Sequence, residues 1–435
     1  MVFTRQKVRK TIMLVLVGMS ILGLSFSMAN AQKISITIWD GFTDEASDRA
    51  SEEIYASFEK LHPQVQILRQ AMGTADQMHP LIKPALSSGT GPDIISDLTA
   101  GGYWRHLAKA GLLLPLDAFY KEYDWDKRVF PWSKPLTTLG GHVYGIADEL
   151  EFIGVYYNQD IFKQMGLSVP NTYQEFLAVC EKLKSGGYIP IAFANQNKWP
   201  AYHQFSIFVN NLIGAEKTEE ILFGNGRWDT PEIEKAIKLF FVDMYGKDYF
   251  IPGTNGVTYD DGNMLYYAGK AAMHITGTWL LGSIEEFVKD FETGFFYFPS
   301  IEGNPIAPPA GFGSATFISS ATSHPKVAAS VLNYRFTETV ARIWLEEAGR
   351  IEPISFDTTG LELSPLKSFV VESLSDVVKK GFSMGYNIDI YAPTNFNLMQ
   401  GDGFQAVMAG QKTPREQAAD LQTEWEKAKE MGLVE

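Results

Sequence analysis

Aromatic and polar side chains occur together at several points of this chain, each time where a strand is predicted to end. Trp39 and Asp40 follow the first predicted strand, Trp199 and Tyr202 follow a later one, and Trp279 follows another. Aromatic rings offer a plane on which the C–H face of a sugar can stack, and carboxylates can accept hydrogen bonds from its hydroxyls. In open α/β sheets, ligands bind beyond the carboxyl ends of strands. This shared position predicts a carbohydrate site, although any one aromatic residue is more often simply buried.

The chain has no motif that predicts catalysis. It lacks a nucleophile elbow, a metalloprotease helix, a phosphate-binding loop and a dinucleotide fingerprint, and its seven histidines lack metal-ligand spacing. A glycosidase needs two carboxylates on opposite sides of one bond, whereas acidic residues adjacent in sequence are typical of a solvated face. We therefore expect no enzyme activity, no cofactor and no metal centre. The acidic pairs in question are Glu149/Glu151, Asp260/Asp261 and Glu346/Glu347.

Residues 1–31 have the pattern of a cleaved signal peptide. An apolar run over residues 12–26 is followed by Ala29-Asn30-Ala31, a small-residue cleavage site. A membrane anchor is the alternative, but the run is short for a bilayer span and contains glycines and serines. No cysteine lies near the cut, so we expect no lipid anchor. The mature chain is predicted to be periplasmic or extracellular. The basic residues before the run are Arg5, Lys7, Arg9 and Lys10.

Charge and length narrow the functional classes further. The net charge is −14, and removal of the four basic leader residues makes it −18, which disfavours binding to nucleic acid or to an anionic membrane. A chain of 435 residues predicts two domains or lobes. Cys180 is the only cysteine, so no internal disulfide can form. It lies on the apolar stripe of a predicted helix, which favours a buried core residue over a nucleophile.

The order of predicted elements indicates an α/β fold. Strand, helix, strand, helix, strand follow one another from residue 34 to residue 95, which predicts parallel pairing. Residues 303–313 contain prolines and glycines that argue against both helix and central strand, so we expect an ordered loop. Its Gly311, beside Phe312, could bring backbone close to a ligand. Further helices are predicted at 101–110, 159–165, 172–185, 231–246, 325–335, 337–348 and 413–430, and further strands at 143–147, 153–157, 189–194, 272–276 and 315–319.

Several motifs in a fixed order resemble the extracellular solute-binding proteins of ABC importers, in the sugar-binding group that includes maltose-binding protein. The resemblance covers nearly the whole mature chain, and any one of the motifs would be weak alone. They are Ser88-Gly89-Thr90-Gly91-Pro92-Asp93-Ile94, Gly111-Leu112-Leu113-Leu114-Pro115-Leu116, Tyr144-Gly145-Ile146, Tyr156-Tyr157-Asn158-Gln159-Asp160-Ile161-Phe162, Gly166-Leu167-Ser168-Val169-Pro170-Asn171-Thr172-Tyr173, Gly269-Lys270-Ala271-Ala272-Met273 and Gly277-Thr278-Trp279.

The resemblance implies a periplasmic-binding-protein fold of two α/β lobes, joined by hinge strands, with a ligand cleft between them. We place the N-lobe at 32–150 with 277–325 and the C-lobe at 151–276 with 326–435. The expected crossings lie near 148–152, 274–278 and 322–330.

The resemblance also implies site residues. Asp97 and Thr99 would reach the ligand from the first lobe, Glu151 from the hinge, and Arg350 from a loop facing the cleft. Trp199 and Trp279 would stack on the sugar. The family usually has proline where Ala147 stands, so the hinge entry could shift and Glu149 competes with Glu151 for the hinge role.

The expected function is capture of a mono- or oligosaccharide, closure about the hinge, and delivery to a membrane permease with its ATPase, by a protein that acts as a monomer. Two alternatives stay open at this level. One is a secreted carbohydrate-active enzyme, and the other is a binding protein of the same fold for a non-sugar such as an amine.

Overall fold

The computed structural model describes residues 33–73, 75–98, 103–380 and 384–434. The predicted signal peptide at 1–31 and Thr99 lie outside the described residues. The strands are β1 (Ile34–Asp40), β2 (Val65–Ala71), β3 (Ile94–Leu98), β4 (Thr138–Leu139), β5 (His142–Val143), β6 (Gly145–Asn158), β7 (Ile189–Ile191), β8 (Ala271–Gly277), β9 (Thr293–Phe296), β10 (Pro309–Ile318) and β11 (Gly385–Tyr386).

Helices outnumber strands in the described part of the chain. They are α1 (Glu45–Leu61), α2 (Ala75–Ser88), α3 (Tyr103–Lys109), α4 (Asp117–Glu122), α5 (Trp125–Arg128), α6 (Gln159–Gln164), α7 (Tyr173–Ser185), α8 (Trp199–Ile213), α9 (Ala215–Phe223), α10 (Pro231–Lys238), α11 (Tyr259–Tyr267), α12 (Leu281–Phe287), α13 (Pro325–Arg335), α14 (Glu338–Ile343), α15 (Pro365–Lys380), α16 (Ile388–Tyr391), α17 (Thr394–Met408) and α18 (Pro414–Glu430). No helix among the described residues is long and apolar enough to cross a bilayer.

The helices begin where the sequence supplies capping residues. Asp44 accepts from the backbone N–H of Ser47 at the start of α1, and Thr172 does the same for Glu175 at the start of α7. At α18, Thr413 and Glu416 form a reciprocal capping box. These side chains satisfy N–H groups that have no partner inside the helix, which fixes where each helix begins.

Two strands connect the two halves of the main sheet, whose order is β2-β1-β3-β10-β6-β8-β7. β1 pairs in parallel with β2 and β3, as the sequence predicted. β6 pairs along its first part with β10 and along its last part with β8 and β9. β6 therefore runs out of the first lobe and into the second without a break.

Each lobe has its own apolar core. The first contains Ile36 and Ile38 of β1 with Phe58 of α1, and the second contains Phe205 of α8 with Trp228. A third cluster joins side chains from both halves along β6 and β10. Cys180 is buried in the second core, as predicted from its position on an apolar stripe. The molecule is thus a two-lobed α/β protein.

The prediction of a loop at 303–313 was wrong for its second half. Residues 309–313 belong to β10, a central strand between β3 and β6. Pro309 is tolerated because it is the first residue of the strand, and the register shifts between Phe312 and Ser314. Residues 145–147 and 153–157, predicted in separate strands, lie in one long strand, β6, whereas Val143 belongs to β5.

The packing differs from the predicted lobe limits in two places. Helices α13 and α14 pack in the first core with β1 and α1, whereas 326–435 had been assigned to the second lobe. β9 pairs with the last part of β6, whereas 277–325 had been assigned to the first lobe. Both differences concern the place where the chain returns to the first lobe, which it does along β10. Helices α4, α5, α8, α9, α11, α12, α15, α16 and α17 were not predicted.

Candidate ligand-binding site

Four aromatic rings meet at the start of α8. Trp199 lies 4.3 Å from the ring centroid of Tyr259 and 6.2 Å from that of Trp279. The ring of His203, one turn along α8, lies 5.1 Å from Trp199 and 4.9 Å from Trp279. Pro200 stands in the first turn of the helix, where its fixed φ suits a helix start. We call Trp199, His203, Tyr259 and Trp279 the aromatic cluster.

Hydrogen bonds fix the planes of this cluster. The indole Nε1–H of Trp279 donates to the Tyr259 hydroxyl at 3.0 Å, and that hydroxyl lies 2.8 Å from Thr276 Oγ1. A tryptophan can only donate, so the Tyr259 oxygen is the acceptor in its bond with Trp279. Burial raises the pKa of Tyr259 and keeps the phenol neutral. A Cβ on Gly277 would stand 1.7 Å from the Trp279 ring, so glycine is needed for the ring to lie over the backbone.

A small cavity opens beside the cluster, lined by Trp199, His203, Tyr259 and Thr276 together with His274 of β8. Nε2 of the His274 imidazole lies 2.7 Å from Asn263 Oδ1, and Nδ1 of the same ring has no hydrogen-bond partner in the structure. Burial lowers the pKa of His274 to about 3, so the imidazole is neutral in the fold. The cavity wall is therefore aromatic with a few hydrogen-bonding atoms, a composition common in small-molecule sites.

Glu151 of β6 is buried and interacts electrostatically with Asp389, which lies 3.6 Å from His203 of the cluster. Its Oε1 accepts from Asn387 Nδ2 at 3.3 Å, and a Cβ on Gly313 would stand 2.0 Å from its Oε2. Burial raises the pKa of Glu151 well above its usual range, and the nearby carboxylates of Glu149 and Asp389 raise it further. The sequence had suggested a solvated face for Glu149/Glu151, and this was wrong, because only 7% of Glu151 is exposed.

Glu149 has a different environment, because it forms a buried ion pair with Nη1 of Arg350. The same guanidinium donates to Ser47 at 2.8 Å and lies 4.8 Å from the ring centroid of Phe42. Its Nη2 is 3.4 Å from Asp44. Burial raises the pKa of Glu149, and Arg350 opposes that rise. Arg350 thus ties the hinge strand to α1 of the first lobe.

Three residues predicted for the site belong to strands of the first lobe. Asp40 is fully buried and holds Arg69 through contacts of 2.7 and 2.9 Å. Trp39 is half-buried against the cluster that joins the lobes. The backbone of Asp97 pairs with Ala315 in β10, and its side chain lies outside the described residues.

Three other predicted residues do not join the aromatic cluster. Phe312 is 1% exposed and packs in the core between the lobes. Gly311 lies against Ile390, where a Cβ would come within 2.6 Å of that side chain. Tyr202 faces α17, because its hydroxyl would stand 3.0 Å from a Cβ on Gly401. No group of three or more histidine, cysteine or acidic residues with metal-binding geometry occurs in the part of the chain that the structure describes.

A family model for bacterial extracellular solute-binding proteins matches residues 41–341, well over half of the chain. The chain belongs to this family. An uncharacterized ABC transporter extracellular-binding protein of Pyrococcus horikoshii is 26% identical over 358 residues, covering 80% of this chain and 78% of the relative. A multiple sugar-binding protein of Streptococcus mutans is 27% identical over 331 residues, covering 72% of this chain and 73% of the relative.

Solved structures share the fold. A chitin oligosaccharide binding protein superposes with a TM-score of 0.79 at 24% identity, covering 92% of this chain and 99% of that one. The two-lobed α/β architecture predicted from the sequence is confirmed by this agreement and by the family match.

Sequence reasoning missed several residues of this solute-binding protein that stand at the aromatic cluster. Tyr259 follows the N-cap residue Thr258, which was a usable signal for a helix there. Asp389 and Asn387 gave no such signal, since they flank or belong to a helix of only four residues. Chain folding brings them to α8 and β6 from a region distant in sequence.

Proposed function

We propose that this protein captures a carbohydrate at the aromatic cluster and hands it to the membrane subunits of an ABC importer. The observation that carries the proposal is the cluster of fixed aromatic planes, which Asp389 links to the buried Glu151 of β6, the strand that passes between the lobes. Relatives named for binding sugars in the same family support it.

Each part of the proposed site matches one part of a sugar. Trp199 is only partly buried, so one ring of the cluster can accept the apolar face of a pyranose. Glu151 would accept hydrogen bonds from hydroxyls at the sugar's edge. We assign this role to Glu151 and not to Glu149, because the carboxylate of Glu149 is already paired with Arg350. Roles for Asp97 and Thr99 stay predictions from the family resemblance.

Binding would be coupled to closure about β6 and β10. A ligand can favour the closed form only by binding it better than the open form. Side chains of the first lobe and Trp199 of the second lobe would contact one sugar together only when the lobes are closed. Periplasmic binding proteins are known examples of such hinge closure. The importer would recognise the closed form, and no bond in the sugar would be broken.

The remaining features of the proposal follow from the sequence. We propose export by the leader at 1–31, action as a monomer outside the cytoplasmic membrane, and partnership with permease subunits and their ATPase. We also assign α13 and α14 to the first lobe, because they pack with α1, in place of the predicted boundary at residue 326.

A thermal-shift screen tests the proposal. The panel contains mono- and oligosaccharides, polyols, amino acids and polyamines, added to residues 32–435. A ligand at a hundredfold excess over its Kd should add about 2.7 kcal/mol to the stability. A raised midpoint with one carbohydrate series is the expected result. A raised midpoint only with amines or amino acids would overturn the carbohydrate assignment and leave the binding fold intact.

A further inference from the structure

Asp389 is a buried carboxylate whose Oδ1 has no hydrogen-bond donor. The residue is 5% exposed and lies in α16, and its Oδ1 atom is one of the buried oxygens without a partner in the structure. Its Oδ2 lies 3.6 Å from His203 Nε2, which is beyond hydrogen-bond distance. An acceptor buried without a donor opposes folding, so its retention calls for a partner that the chain does not supply.

The position of Asp389 indicates where that partner would come from. His203, its nearest basic neighbour, belongs to the aromatic cluster and touches both Trp199 and Trp279. On the other side, Asp389 is near enough to Glu151 for the two carboxylates to interact electrostatically. Asp389 therefore stands between the rings and the hinge carboxylate.

We infer that Asp389 is a ligand-contacting, specificity-determining residue whose carboxylate accepts a hydrogen bond from a sugar hydroxyl. This inference rests on the proposed function and adds a named acceptor to it. A carboxylate offers about four lone-pair directions, so Oδ1 can accept from a hydroxyl while Oδ2 stays beside His203. A hydroxyl that finds a charged acceptor gains more than one bound to a neutral group.

The stability of the ligand-free protein distinguishes a ligand-binding role of the Asp389 carboxylate from a purely structural one. The hydrogen bond from Asn397 Nδ2 goes to the backbone carbonyl of Asp389 and does not need the carboxylate. If the carboxylate serves the ligand, Asp389→Asn should remove an unfavourable buried charge. The ligand-free protein should then unfold about 1 to 4 °C higher, while affinity falls. If the carboxylate serves the fold, the same change should lower the midpoint.

The matched control is Glu424, a carboxylate of the same lobe that is also buried but has a partner. It is 7% exposed, and its Oε2 lies 3.2 Å from Lys427 Nζ. Glu424→Gln should leave carbohydrate affinity at the wild-type value, because the residue lies on α18 within the second core region and belongs to no part of the proposed site.

The experiment measures two quantities on wild type, Asp389→Asn and Glu424→Gln. The first is the unfolding midpoint without ligand. The second is the Kd for whichever of maltotriose, raffinose, xylotriose or chitotriose raises the wild-type midpoint. We expect Asp389→Asn to raise the ligand-free midpoint and to weaken binding by about tenfold to a hundredfold.

Monodeoxy analogues of the bound sugar give a second readout. Removal of one particular hydroxyl should weaken binding to wild type but not to Asp389→Asn. Unchanged affinity for Asp389→Asn would overturn the inference and leave the proposed function standing. If none of the four sugars binds wild type, the proposed function is at fault and the inference, which rests on it, falls with it. A lowered ligand-free midpoint for Asp389→Asn, with sugar binding to wild type intact, refutes the inference alone.

Discussion

The buried His274 should make the stability of this protein depend on pH in the weakly acidic range. The imidazole is 3% exposed, and burial lowers its pKa from an ordinary value of 6.5 to about 3. The unfolded chain therefore binds a proton between these two pH values that the folded chain does not. The stabilisation is complete above pH 6.5 and is lost as the pH falls from 6.5 towards 3.

The size of the effect follows from these two pKa values. Each pH unit within the window costs about 1.36 kcal/mol, so by pH 5 the loss from this group is about 2 kcal/mol relative to pH 7. Replacement by glutamine keeps a donor for Asn263 Oδ1 and cannot take up a proton. His274→Gln should therefore lose about 2 kcal/mol less than wild type between pH 7 and pH 5.

Urea unfolding at pH 7 and pH 5 measures this difference for both proteins. Comparison of the two differences removes the contributions of the other titrating groups, which both proteins share. The interval from pH 7.5 to 8.5 is an internal control, since neither state of His274 titrates there. Equal losses in wild type and His274→Gln would refute the reasoning, because they would mean that the folded protein accommodates the charged imidazole.

Three further predictions concern the site and the hinge. Trp199→Ala and Trp279→Ala should each weaken carbohydrate binding by about tenfold, since each removes part of the stacking surface, as a fluorescence or calorimetric titration can check. Glu151→Gln should weaken carbohydrate binding. Because the carboxyl pKa of Glu151 is raised in the folded wild type, the wild type loses stability through this group as the pH rises and the variant does not. The variant should therefore stabilise the ligand-free protein more at pH 7 than at pH 4, as unfolding midpoints at the two pH values can check. Arg350→Met should cost about 3 to 5 kcal/mol by leaving Glu149 buried without its partner, and Arg350→Met with Glu149→Gln should cost less in urea unfolding.

Much of the fold could be predicted because local signals agreed with tertiary packing. Ile36 and Ile38 alternate with polar residues in β1, and Thr172 caps α7, so periodicity and capping gave these elements. The first half of the sheet followed from the strand–helix alternation. Here the local preference of each segment and its final environment point to the same structure.

Only the second half of β10 was predicted, as a strand at 315–319, and local signals did not reveal its first half. Its Gly311 and Gly313 weaken any strand pattern, yet they are needed because Ile390 and Glu151 approach the backbone at these positions. The reason for the glycines is a contact with residues distant in sequence. The predicted lobe limits differ from the packing for a related reason, since the chain crosses between the lobes along this strand.

Some candidate site residues lie together in the fold, and their roles in binding stay predictions. Trp199 and Trp279 are in contact distance of each other in one cluster, as their positions at strand ends suggested, and Asp389 links Glu151 to this cluster. Asp40 had looked like a ligand group, but Arg69 holds it in a buried ion pair. Sequence patterns show which side chains follow a strand, but they do not show which of them already have a partner in the fold.

The central claim is that the cleft binds a carbohydrate without changing it. An equilibrium titration of the wild-type protein with the best sugar from the screen, followed by chemical analysis of the recovered sugar, tests this most directly. The account predicts saturation at one sugar per chain and recovery of the sugar intact. Cleavage of the sugar, or the absence of saturable binding by any carbohydrate while an amine binds, would contradict it.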